Sequence, residues 1–130
     1  ELIPGIKIMQ AIAITGSKAI EEAKKYAENA DYLILDSFAE GTNDFGAEPV
    51  GVGAAGVTHD WNISKKIVEE VHIPVILAGG LDGENVADAI RAVHPYGVDS
   101  MTKTTIVEDG KYLYKDMEKL RAFIENAQNA

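Results

Sequence analysis

The chain has 130 residues, 46% hydrophobic and 25% charged, enough apolar material for one compact domain and not for two. Its 21 acidic residues against 12 basic ones give a formal net charge of −9, which argues against nucleic-acid binding because an acidic surface repels phosphate backbones. There are no cysteines, so disulfides, thiolate metal sites and a cysteine nucleophile are excluded within these residues; a cytoplasmic protein is expected, and no apolar run approaches the roughly 20 residues of a membrane helix.

The chain opens at Glu1, without a methionine, and runs almost directly into the apolar segment Ile6 to Ile14. This predicts a start in the middle of a longer protein, with loss of a short leader as the alternative. The first strand is expected over Ile6–Ile12. Thr15-Gly16-Ser17 then leads into a helix over about Lys18 to Asn29, with Ala19, Ile20, Ala23, Tyr26 and Ala27 at helical spacing. Tyr32-Leu33-Ile34-Leu35-Asp36 is a continuous apolar run closed by a carboxylate, the pattern of a parallel strand buried on both faces. A long loop from Ser37 to His59 follows, then a helix over about Asn62 to Val71 capped near Asp60.

The third strand is Pro74 to Ala78, ending in Gly79-Gly80. Asp82 precedes a helix over about Gly83 to Val93, its side-chain oxygen meeting free N–H groups. The fourth strand is Gly97 to Ser100, its loop runs from Met101 to about Tyr114, and the last helix spans about Lys115 to Asn126. Four strand-helix units follow one another with no linker. They fit either an open doubly wound sheet or half of a (β/α)₈ barrel, which takes about 250 residues in full. Against the first, no G-x-G-x-x-G follows the opening strand. Half a barrel exposes the inner face and edges of its sheet, so it must pair with a missing N-terminal half or with a second copy of itself.

In a barrel, functional groups sit at the C-terminal ends of the strands. Gln10, Asp36, the Gly79-Gly80 loop and Asp99 to Thr104 are placed there by the pattern. Asp36, shielded from water at a strand end, suits a general acid with a raised pKa; a carboxylate accepting bonds from the next loop is the alternative. Gly79 and Gly80 suit a phosphate cradle, because glycine lets backbone N–H groups approach an anion closely; a tight turn is the alternative. Ser100, Met101, Thr102 and Lys103 suit its other half, with Lys103 as a point charge or as a solvated lysine. A site built from backbone N–H groups needs no basic surface, so a small phosphorylated sugar is compatible with the acidic charge.

His59 and Asp60 stand side by side before a helix, where Asp60 suits the N-cap. His72 and His94 lie near helix ends, and the three histidines share no metal-ligand spacing, so no metal and no cofactor are expected. Trp61 and Tyr96 suit packing rather than a substrate platform. The glycine-rich stretch Gly51 to Gly56 suits a lid, with a merely flexible loop as the alternative.

Four motifs in order resemble the second half of the phosphoribosylanthranilate isomerase family. Leu77-Ala78-Gly79-Gly80-Leu81-Asp82-Gly83-Glu84-Asn85-Val86 is similar to that family's L-A-G-G-L-x-P-E-N-V, and Pro95-Tyr96-Gly97-Val98-Asp99 to its P-x-G-V-D. Thr58-His59-Asp60-Trp61 resembles its T-x-D-W, and Leu33-Ile34-Leu35-Asp36-Ser37 its L-L-L-D-S/T. The resemblance implies the C-terminal half of a (β/α)₈ TIM barrel, residues 1–130 forming a single domain of units 5–8. It also implies an Amadori rearrangement of an N-phosphoribosyl arylamine in tryptophan biosynthesis. It carries the acid role onto Asp36 and phosphate binding onto Gly79, Gly80 and the loop after Asp99.

Two loops depart from the family. Its G-G-T-G-K-T-x-D-W stands as Gly53-Ala54-Ala55-Gly56-Val57-Thr58-His59-Asp60-Trp61, and its D-V-S-S-G-V-E as Asp99-Ser100-Met101-Thr102-Lys103-Thr104-Thr105 with extra residues after it. A related barrel acting on another sugar phosphate is therefore the alternative, beside a non-catalytic phosphate-binding half-barrel. The family's general base is a cysteine on its first strand, absent here, so this chain alone is expected to be inactive.

Overall fold

Each apolar run becomes a parallel strand and each amphipathic run the helix after it in the computed structural model, which describes residues 5–37, 58–109 and 111–130. The order is β1 (Met9–Ile14), α1 (Lys18–Ala27), β2 (Tyr32–Ser37), α2 (Trp61–Glu70), β3 (Val75–Leu77), α3 (Val86–Val93) and β4 (Gly97–Val98). A 3₁₀ turn (Thr102–Thr104), β5 (Thr105–Glu108), β6 (Lys111–Lys115) and α4 (Met117–Gln128) complete it.

The sheet runs β1-β2-β3-β4, parallel throughout, with Ile12 beside Leu35, Leu35 beside Leu77 and Leu77 beside Val98. Alternate residues of the strands, Ile12, Ile14, Leu33, Leu35, Val75 and Leu77, join Ala19, Ala23, Ile67, Val86, Ala89 and Val93 of the helices in one buried cluster. Each large aliphatic side chain buried there contributes about 1.5–3 kcal/mol. The opposite face of the sheet carries Met9, Tyr32, Ile34, Asp36 and Ile76; Met9 is 50% exposed and the others are partly buried. A doubly wound sheet reverses its strand order and carries helices on both faces. Sequential order, with the described helices packed on one face of the sheet, is instead that of a (β/α)₈ barrel opened into half.

Several boundaries differ from the sequence reading. The first strand begins at Met9 rather than Ile6, its pairing starting where β2 starts, at Met9 beside Tyr32. The third helix begins at Val86 rather than Gly83, because Asp82 and Asn85 form a turn first. Asp82 Oδ1 accepts from the Glu84 and Asn85 amides, and Asn85 Oδ1 accepts from the Asp82 amide. The segment after Met101, expected as a loop, holds the 3₁₀ turn and the antiparallel hairpin β5–β6. Its strands carry Thr105-Ile106-Val107 and Tyr112-Leu113-Tyr114, β-branched and aromatic runs separated by Asp109-Gly110, a pair that favours hairpins. Asp60 and Asp116 cap α2 and α4, accepting from the Asn62 amide and from the Glu118 and Lys119 amides. Trp61 packs against the core, whereas Tyr96 is 72% exposed and meets the Tyr32 ring at a tilt, centroids 6.3 Å apart.

Candidate active site

Asp36 stands at the C-terminal end of β2, on the face of the sheet opposite the buried cluster, and is partly buried. Its Oδ1 accepts from the Ser37 amide at 2.7 Å. Burial raises its pKa above the ordinary carboxylate value, the Ser37 amide opposes this, and the negative charge of Asp99 adds to the rise. A carboxyl that holds its proton more firmly than usual is suited to donate it to a substrate oxygen.

The loop after β3 begins with two residues in the left-handed region, Gly79 at φ 86° and Gly80 at φ 63°. A Cβ at Gly79 would press on the Ser37 hydroxyl, so this glycine lies against the residue next to Asp36. The loop is held by side chains: Asn85 Nδ2 donates to the Gly80 carbonyl at 3.0 Å, and Ser100 Oγ donates to the Leu81 carbonyl at 2.6 Å. Ser100 thereby ties the loops after β3 and β4 together, its hydroxyl proton directed to Leu81.

Met101 is 48% exposed and leads into the 3₁₀ turn that contains Thr102 and the exposed Lys103. Lys115, at the end of the hairpin, donates to the carbonyls of Ser100 (3.3 Å) and Met101 (3.1 Å) and to Thr104 Oγ1 (3.0 Å). Thr104, fully buried, donates back to the Ser100 and Met101 carbonyls. Thr104 closes the segment that the strand pattern placed here, whereas Lys115 was not singled out in the sequence. A lysine at a strand end carries no mark of its target until the hairpin folds back.

Asp36, Gly79–Gly80 and Ser100–Lys103 thus meet at one end of the sheet. Gln10 does not join them. It is the second residue of β1, beside Leu33 at the opposite end, because the strand starts later than its apolar run. Gly51 to Gly56 and the altered residues Gly53 to Val57 lie outside the described residues.

On the helix side of the same strand ends lies a cleft of about 340 Å³ lined by Ile14, Thr15, Gly16, Ser37, His59 and Asp60, among others. His59, which the sequence reading set aside in favour of Asp60, is held between two hydroxyls. Nδ1 lies 3.1 Å from Ser37 Oγ and Nε2 lies 2.7 Å from Ser64 Oγ. Burial lowers its pKa to about 4, against a smaller opposing pull from Asp60, so the ring is neutral near pH 7. Among the described residues no group of three His, Cys, Asp or Glu stands ready to hold a metal, and no helix is long and apolar enough to cross a membrane.

Residues 1–126 match the family described as N-(5'-phosphoribosyl)anthranilate (PRA) isomerase. The chain is 42% identical over 126 residues to N-(5'-phosphoribosyl)anthranilate isomerase 2 of Methanosarcina mazei, covering 97% of this chain and 51% of that protein. It is 37% identical over 126 residues to the isomerase of Methanocella arvoryzae, covering 97% and 53%. The chain therefore spans about half the length of the curated relatives it matches. Among solved structures, the isomerase of Thermotoga maritima superposes with a TM-score of 0.70 at 28% identity, covering 97% of this chain and 53% of that one. A phosphoribosyl anthranilate isomerase solved with reduced 1-(o-carboxyphenylamino)-1-deoxyribulose 5-phosphate superposes with a TM-score of 0.67 at 26% identity, covering 96% and 50%.

Proposed function

The chain belongs to the N-(5'-phosphoribosyl)anthranilate isomerase family, and from that premise we propose that it is the C-terminal half of an enzyme that carries out the Amadori rearrangement of an N-phosphoribosyl arylamine in tryptophan biosynthesis. The observation that carries this reading is the placement of a carboxyl whose pKa burial raises, Asp36, one residue from the strand end that abuts Gly79. Asp36 protonates the ribose ring oxygen, which opens the ring and leaves an iminium. Loss of the C2′ proton to a base then gives an enolamine, which tautomerises to the amino-ketose as C1′ gains a proton and the C2′ hydroxyl loses one.

Gly79, Gly80 and the Ser100–Lys103 turn hold the 5′-phosphate. Glycine leaves the backbone open to an anion, and the bonds from Asn85, Ser100 and Lys115 fix the two loops before the ligand arrives. The resemblance gives the base for the C2′ proton as a cysteine, and this chain contains none. The base, and the cover for Met9, Ile34 and Ile76, come from an N-terminal half-barrel, in keeping with relatives about twice as long. Residues 1–130 then form one domain, units 5–8, of a cytoplasmic enzyme, inactive by themselves.

A second reading rests on the β5–β6 hairpin, which follows the 3₁₀ turn where the family pattern goes on without extra residues. It favours a related barrel with the same phosphate site and another sugar-phosphate substrate. The full-length protein decides between them: turnover of phosphoribosylanthranilate supports the first reading, and ribose 5-phosphate binding without turnover supports the second. An intact mass no larger than this chain, with self-association, would replace both by a dimer of half-barrels.

A further inference from the structure

We propose that His59 is a positioning residue, which acts by locking the strand end that carries Asp36 against Gly79 and the first turns of α2. The inference rests on the reading of Asp36 as the acid and deepens it. His59 lies just before the α2 cap, and its two ring nitrogens reach Ser37 on β2 and Ser64 on α2. Both serines are buried, at 2% and 0% exposure. A neutral imidazole has one donor and one acceptor, and hydroxyls rotate to suit either tautomer, so the ring bridges the two serines in both.

The consequence passes to the site through Ser37. Its amide donates to Asp36 Oδ1 at 2.7 Å. A Cβ at Gly79 would stand 2.8 Å from the Ser37 amide nitrogen and 3.1 Å from His59 Nδ1, so both groups bound the space above this glycine. One buried polar chain, from Ser64 through His59 to Ser37, therefore sets where the acid's backbone partner lies and how near the phosphate loop approaches it. Without the imidazole, the end of β2 loses this tie to α2 and the ring that bounds the space above Gly79, and the strand end carrying Asp36 is held less firmly.

The test uses the full-length protein and phosphoribosylanthranilate turnover, with Asp36→Asn measured beside each variant. His59→Phe keeps a ring without either hydrogen bond. It is expected to lower kcat about tenfold, leaving KM within about threefold, and to have no further effect in the Asp36→Asn background, since both changes act on one step. His59→Asn, whose amide sits where Nδ1 does, is expected to recover most of the loss. Should His59→Phe fail to fold, Ser64→Ala removes the far end of the bridge and is expected to give the same non-additive loss at smaller size. A His59→Phe or Ser64→Ala enzyme with parental kcat, or losses that add fully to that of Asp36→Asn, overturns the inference while leaving Asp36 as the acid. An Asp36→Asn enzyme with parental kcat overturns the acid reading itself, and this inference with it.

Discussion

Gly79 lies so close to Ser37 that a Cβ at position 79 would stand 2.8 Å from the Ser37 amide nitrogen. Its backbone also sits at φ 86°, where an L side chain is strained. Gly79→Ala is expected to destabilise the full-length protein by about 1–3 kcal/mol from backbone strain, with the clash in addition. It should also weaken ribose 5-phosphate binding. Chemical denaturation and calorimetry check both, and a variant with parental stability would show that the loop relaxes freely.

Asp36 holds its proton more firmly in the fold than in the unfolded chain, because burial and the Asp99 charge penalise its anion. The native state then binds more protons than the unfolded state through the carboxylate range, so this group adds stability as pH falls and withdraws it as pH rises. Asp36→Asn, which cannot ionise, is expected to melt higher than the parent at about pH 7, the gap narrowing toward about pH 4. Melting curves across that range check it, and a lower melting temperature for the variant at neutral pH would contradict the assigned cause.

His59 works in the other direction. Its pKa falls to about 4 in the fold from an ordinary 6.5, so between those values the unfolded chain binds the extra proton. The stability associated with the neutral ring is complete above about pH 6.5 and is lost as pH falls toward about 4. A His59→Asn variant is expected to lack this acid-side slope, which urea titrations at several pH values measure.

Lys115 gives its three ammonium hydrogens to the Ser100 and Met101 carbonyls and Thr104 Oγ1. Bonds to a charged donor are worth about 1.5–3 kcal/mol each when buried and less here, since Lys115 is exposed. Lys115→Met is expected to weaken ribose 5-phosphate binding about tenfold, with little change in melting temperature. Lys103→Met then separates a direct phosphate contact from a structural one, and calorimetry reads both variants.

Much of the fold was legible because period and punctuation agreed. Leu33 to Leu35 and Val75 to Leu77 are apolar runs with no helical spacing, while Asp60 stands where a helix needs a cap. The hairpin was missed since its strands are short and follow a four-unit pattern that already accounted for the chain. His59 was missed for a different reason. A lone histidine beside a capping aspartate is indistinguishable in sequence from a solvated one, and its partners, Ser37 and Ser64, are brought to it only by the packing of β2 and α2. Gln10 was misplaced because an apolar run marks a strand better than it marks where pairing begins.

The most direct test of Asp36 as the general acid is phosphoribosylanthranilate turnover by the full-length protein, with Asp36 intact and as Asp36→Asn. The parent is expected to turn the substrate over, and removing the acid to lower kcat by about 10²–10⁴, with ribose 5-phosphate still bound. Undiminished turnover by Asp36→Asn would contradict the assignment.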